Sequence, residues 1–194
     1  MSTSITANTA HTAEVSQDTL KDAMSRFATG VTVVTTHHDG ADYGMTCNSF
    51  NTVSLNPPLV MWCIRKTSQS HAAFTAGEGY TVNILGATQH ALAMKFTQGS
   101  HEQRFSDVAI SRGLQLKPRI DGAVAWFDCT LEHTVSAGDH DILVGRVNAV
   151  GTGHGAGLVY AQRQFGTITE LVVPSVAPVV IPSLAPSVAS AAKP

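Results

Sequence analysis

Charge is scarce in this chain. Only 13% of its 194 residues are Asp, Glu, Lys or Arg, and the formal net charge is -2. Recognition of nucleic acid through phosphates needs a basic stripe, and none is present. Cysteine is scarce as well: Cys47, Cys63 and Cys129 are odd in number and never spaced Cys-x-x-Cys. That excludes a disulfide framework and a four-ligand structural zinc site, and it fits a reducing cytoplasm. Long apolar runs are lacking too. Residues 1–16 are small and polar, without the basic and apolar regions of a signal peptide, and read as a disordered arm. Residues 171–194 hold five of the eight prolines. Proline interrupts their apolar stretches too often for a membrane-spanning helix, so they read as a flexible, extended tail.

Between arm and tail, residues 17–170 suit one domain with a core of ordinary size. Thr19 and Asp22 resemble a capping box, with Leu20, Ala23, Met24 and Phe27 on one helical face and Gly30 as the stop. From Val31 the signals are β. Val31 to Thr36 is β-branched throughout, and His38-Asp39-Gly40 supplies a turn. Leu59 to Ile64 is wholly apolar, as in a strand buried on both faces, and Ser68 is placed to cap a short helix through Phe74. Tyr80, Val82 and Ile84 alternate with polar residues, as in a half-buried strand. A second short helix is expected near Thr88 to Phe96. A long hairpin turns at Ala137-Gly138-Asp139 and returns from Ile142 to Val150. Strands at hairpin spacing outnumber helices, which predicts a mainly β, antiparallel Greek-key barrel with a few peripheral helices.

Gly151 to Ala156 matches G-x-G-x-x-A after a strand, with Glu170 downstream. The dinucleotide fingerprint also needs a helix opening at that loop. Gly157 and the short Leu158-Val159-Tyr160 run leave no room for one, so the segment reads as a hairpin loop. Asp128, Glu132, His133 and His140 do not form a metal-ligand set, and no metal site is expected.

The most informative stretch is Met45 to Val60, where small polar residues run through a Pro57-Pro58 turn into an apolar strand. Buried polar groups need partners, and these cannot all satisfy one another. A phosphate or a fused heterocycle would supply the partners; a polar edge strand closed by a proline turn is the other reading. Arg65 and Lys66 end the apolar strand, as phosphate ligands or as a solvated strand end.

This stretch resembles the flavin-binding signature of the short-chain flavin reductases, the NAD(P)H-dependent partners of two-component flavin monooxygenases. Hydrophobic-Thr-x-x-Ser-Phe-x-x-Val-Ser-Leu-x-Pro-Pro-Leu-Val is followed from Met45 to Val60, and Gly138-Asp139-His140-Asp141-Ile142 repeats the family's Gly-Asp-His-x-Ile hairpin. The similarity covers roughly Leu20 to Ile168, and Cys47-Asn48 depart from the residues many relatives carry there. It implies an FMN-binding split barrel, dimeric, with flavin near the subunit interface. Thr46, Cys47, Asn48, Ser49, Cys63, Ile64, Arg65, Lys66, Ser68, Lys95 and Phe96 would hold FMN or FAD, with Arg104-Phe105 a further basic–aromatic pair near the phosphate. Gly138, Asp139, His140, Tyr160 and Phe165 would place the nicotinamide of NADH or NADPH. No side chain would be catalytic, because hydride passes between cofactors held at about 3–3.5 Å. Reduced flavin would go to a separate monooxygenase. A non-catalytic flavin or haem carrier, or an oxidase of phosphorylated vitamin B6 compounds, are the alternatives on the same barrel.

Overall fold

The computed structural model describes residues 15–168; the expected tail, and the arm apart from Val15 and Ser16, lie outside them. In chain order the elements are α1 (Gln17–Ser25), β1 (Thr29–Gly30), β2 (Thr32–His38), β3 (Ala41–Cys47), β4 (Asn51–Leu55), β5 (Pro58–Arg65), α2 (His71–Ala76), β6 (Gly79–Ile84), α3 (His90–Lys95) and α4 (His101–Phe105). There follow β7 (Ile110–Arg112), a 3-10 turn at Leu114–Leu116, β8 (Pro118–Ile120), β9 (Ala125–Ala137), β10 (His140–Thr152), β11 (Leu158–Ala161) and β12 (Gln164–Thr167).

Seven strands form one antiparallel sheet in the order β3-β2-β6-β9-β10-β5-β4. The chain crosses from β5 to place β6 beside β2, while the edges β3 and β4 stay unpaired with each other. That is the expected antiparallel split barrel. Its interior holds Val34, Val60, Trp62, Ile64, Phe74, Tyr80, Val82, Cys129 and Leu143. A second core of Val31, Val33, Leu85, Ala93, Phe96, Ile120 and Leu158 lies on the other side of β2. Alternate residues of β2 thus serve two cores, which explains its β-branched, two-sided apolar sequence.

Local expectations shift where tertiary contacts decide. Ser16, not Thr19, caps α1: its side chain accepts from the Thr19 N–H. The apolar face of that helix has no cover among the described residues, with Leu20 50%, Met24 65% and Phe27 74% exposed. β5 is buried on one face only. Val60, Trp62 and Ile64 point into the barrel, while Leu59, Met61 and Cys63 are half-buried. β6, expected half-buried, is buried on both faces. Asn83 donates to the Val33 carbonyl (3.0 Å) and accepts from the Ile120 N–H (2.8 Å), and Thr81 bonds Asp128, so β8 covers its polar side. The helix expected from Ser68 starts at His71; the Ser68 hydroxyl accepts from the Ser70 N–H (3.3 Å) in the preceding turn.

The long hairpin is as expected. His140 pairs with Ala137, and Gly138 takes φ +62 in the two-residue turn, a conformation that glycine adopts without Cβ strain. Gly151 to Ala156 contains no helix: β10 runs to Thr152 and β11 begins at Leu158.

Candidate functional site

The ends of β3 and β5, the turn after β5, and the start of β10 meet at one rim of the barrel. A cavity of about 540 Å³ opens there. Among its lining residues are Thr46, Cys47, Asn48, Ser49, Cys63, Arg65, Ser68, Phe96 and His140. The proline turn brings this about, because it folds β4 back onto β5 and sets Ser49 against Cys63. The Cys63 N–H donates to the Ser49 hydroxyl (3.0 Å), so Ser49 fixes the floor as well as lining it. The Thr46 hydroxyl, expected to donate to a ligand, is committed to the Ala93 carbonyl (2.6 Å), and its N–H to the Phe96 carbonyl (3.3 Å). These bonds dock α3 and press the fully buried Phe96 ring into the wall. Asn48 is exposed and its amide makes no hydrogen bond among the described residues, leaving donor and acceptor for a ligand.

Two thiols lie in this floor. Burial pushes both Cys47 and Cys63 above the ordinary thiol value, so neither is a ready thiolate nucleophile. Cys47 instead packs against the Thr32 hydroxyl, 3.1 Å away.

Arg65 is exposed, and its guanidinium has no ion pair among the described residues. Arg104 also lines the cavity but is partly used: it donates to the carbonyls of Gly44 (2.8 Å) and Gln98 (3.1 Å). Burial lowers its pKa. Arg65 is therefore the cation with its donors free for an anionic group. Beside it, the hydroxyl- and amide-bearing run of Thr67, Ser68, Gln69 and Ser70 completes the rim. Thr67, Gln69, Ser70 and Thr97 are lining residues that sequence reasoning misses, and Met45 is reached only as the start of the signature stretch. The polar run directly after Arg65-Lys66 was the available signal for the first three.

Three expected flavin contacts stand elsewhere. The Ile64 side chain is wholly inside the barrel core. Lys66 donates to the Ser136 hydroxyl and the Gly138 carbonyl, each at 2.7 Å, and so ties the hairpin tip. Lys95 donates to the Ser106 carbonyl, away from the cavity. The expected nicotinamide residues separate into two groups. His140 lines the cavity, and its Nδ1 lies 2.7 Å from the Asp139 carboxylate. That hydrogen bond holds Asp139 below its ordinary pKa. It assigns the proton to Nδ1 and leaves Nε2 as the free ring nitrogen. Tyr160 and Phe165 pack together at 5.2 Å on β11 and β12. Tyr160 lines a second, wider cavity of about 940 Å³ beside α1, which meets the first at Asn48 and Ser49. A third cavity of about 300 Å³, around Lys117, holds none of the expected residues.

Among the described residues no three His, Cys, Asp or Glu side chains cluster as metal ligands. The first cavity offers a free amide, backbone groups, one unpaired guanidinium and an aromatic wall. That donor set fits a planar heterocycle with several acceptors and an anionic arm, which is the chemistry of a flavin nucleotide.

Comparison with known proteins agrees with this chemistry. The family model described as flavin reductase like domain matches residues 24–169. The reductase component of a flavin-dependent trigonelline monooxygenase from Acinetobacter baylyi is 41% identical over 149 residues, covering 76% of this chain and 48% of that protein. An FMN reductase (NADH) of Agrobacterium fabrum is 37% identical over 146 residues, covering 75% and 83%. Among solved structures, the NADH:FAD oxidoreductase of Streptomyces globisporus in complex with NAD and FAD fragments superposes with a TM-score of 0.74 at 33% identity, covering 85% of this chain and 100% of that one. The chain spans about half the length of the Acinetobacter relative and of a Rhizobium meliloti probable flavin reductase, 48% of each.

Proposed function

Because the chain belongs to the flavin reductase like domain family, we propose that it is an NAD(P)H:flavin oxidoreductase, working with NADH on FMN or FAD and passing reduced flavin to a partner monooxygenase. The observation that carries this reading is the shared cavity: Asn48 with Ser49, Arg65, Phe96 and His140, from four separate segments of the chain, face one space. Relatives named as reductase components support the monooxygenase partner. They lend no such support to a non-catalytic carrier or a vitamin B6 oxidase.

A bound flavin supplies the ring that accepts hydride; the protein supplies position. In this reading Arg65 holds the anionic arm, and Asn48 with the backbone around it meets the ring's polar edge. Phe96 and Met45 exclude water from one side. The Asp139–His140 pair fixes an imidazole whose free nitrogen meets the nicotinamide carboxamide. None of these groups needs to donate or remove a proton during hydride transfer, so proximity and orientation are the main contributions.

We also propose a homodimer, supported by the uncovered apolar face of α1 and by Val53 and Leu55 on the edge strand β4, 50% and 94% exposed. The described residues include no helix long and apolar enough to cross a membrane, and the free cysteines fit a cytoplasmic setting.

The decisive measurement is NADH oxidation, followed by absorbance, with protein stripped of flavin. Activity should be absent until FMN or FAD is added. Turnover without any flavin, or none with it, would overturn the reading.

A further inference from the structure

On β10, neighbouring residues face opposite ways. His140 stands across from Arg65 on the cavity side, whereas Asp141 stands across from Ile64 on the barrel side and is 8% exposed. There the Asp141 carboxylate meets His71, the first residue of α2: Oδ2 lies 2.7 Å from His71 Nε2. Its other oxygen lies 3.8 Å from the Lys66 ammonium. Lys66 in turn donates to the Ser136 hydroxyl and the Gly138 carbonyl, and its N–H to the Asp139 carbonyl (3.0 Å).

We propose that Asp141 and His71 are positioning residues: together they clamp the segment Arg65 to Ser70 onto the hairpin that carries His140. The inference rests on the flavin-reductase reading, in which that segment grips the flavin's anionic arm and His140 places the nicotinamide. Within the segment, the remaining order comes from turn bonds, Ser68 N–H to the Arg65 carbonyl and His71 N–H to the Ser68 carbonyl, both 3.0 Å. Those bonds shape the loop but do not join it to the hairpin. The β5–β10 ladder and the Lys66 N–H bond to the Asp139 carbonyl hold its first two residues there, and the side chains of Asp141, His71 and Lys66 tie the remainder.

Both halves of the site therefore share one anchor. Loss of the Asp141 carboxylate leaves His71 Nε2 without its acceptor and removes the counter-charge beside Lys66. Beyond the ladder the loop from Thr67 to Ser70 can then shift against the hairpin tip, loosening the side chains of Arg65 and His140 together while their backbones stay paired. Neither Asp141 nor His71 lines the cavity, so their effect on ligands is indirect.

The test uses the full chain with Asp141→Ala, Asp141→Asn, His71→Gln and His71→Ala. Each is measured for thermal midpoint, for flavin affinity by fluorescence titration, and for the rate at which NADH reduces bound flavin in stopped flow. Asp141→Ala and His71→Ala should each weaken flavin binding several-fold and slow reduction by up to about a hundredfold, the scale of a displacement near 1 Å. Combining them should be no worse than either alone, and His140→Ala should cost less in the Asp141→Ala background, because the imidazole there is already misplaced. Asp141→Asn and His71→Gln, which keep a polar group, should retain part of the wild-type behaviour. His71 is partly solvent-exposed, so its variants test the clamp even where Asp141→Ala fails to fold. A lowered midpoint with unchanged flavin affinity and unchanged reduction rate, or fully additive effects, would overturn the proposal. Flavin titration does not depend on NADH turnover. A protein whose clamp variants lose flavin while the wild type never oxidises NADH would therefore sink the functional reading and not the clamp.

Discussion

Arg65 and His140 stand opposite each other on the β5–β10 ladder, yet their truncation should fail in different ways. Arg65→Ala removes the cavity's free guanidinium and should weaken flavin binding by about 1–3 kcal/mol, toward the lower end because the residue is exposed. His140→Ala should leave flavin titration near wild type while raising the apparent KM for NADH and lowering kcat/KM. Loss of flavin from His140→Ala, with normal reduction per bound flavin, would move His140 into the flavin site. Gly44 is a quieter determinant. A Cβ there would lie 2.6 Å from the Phe96 ring and 3.0 Å from that of Phe105. Gly44→Ala should therefore push Phe96 toward the cavity and weaken flavin binding with only a modest loss of thermal stability; an unchanged affinity would show that the ring yields the other way.

At the scale of elements, the outer sheet edge is held by charge. Asp42 on β3 receives both terminal nitrogens of Arg112 on β7, at 2.6 and 2.8 Å, and lies 2.8 Å from His37 on β2. Burial alone would raise the Asp42 pKa, but the hydrogen bonds from Arg112 and His37 outweigh it and hold it below 3.8. A carboxylate depressed on folding contributes stability that is fully present above its unfolded value and is lost as pH falls through the folded one. Asp42→Asn should thus melt lower than wild type at neutral pH, by about 2–4 °C for about 1 kcal/mol. The gap should close as pH drops below about 4. A gap that persisted at pH 2 would assign the loss to packing and not to the ion pair.

For the whole molecule, the uncovered face of α1 makes a prediction about assembly. Phe27 is 74% exposed, so Phe27→Asp should change the stability of a lone subunit by no more than about 0.5 kcal/mol. If the face is a subunit interface, the same change should halve the mass in sedimentation equilibrium and reduce flavin affinity with it. An unaltered mass would exclude that face.

Much of this was legible in the chain. Strand pairing at the Gly138-Asp139 turn and the proline turn before β5 are set by local backbone preferences, and both stand where expected. The signature from Thr46 to Ser49 lines the cavity because a strand end and a turn leave little choice of direction. What the sequence could not determine is which polar atoms remain free once the barrel closes. Thr46, Lys66 and Lys95 look like ligand groups, yet partners distant in the chain, Ala93, Ser136 and Ser106, already hold them. β6 looked half-buried because the residues that satisfy Thr81 and Asn83 come from β9 and β8, strands far downstream. Local propensity acts over a few residues and writes elements and turns directly into the sequence. Hydrogen-bond satisfaction and burial are settled between strands many residues apart, so only the tertiary structure decided them.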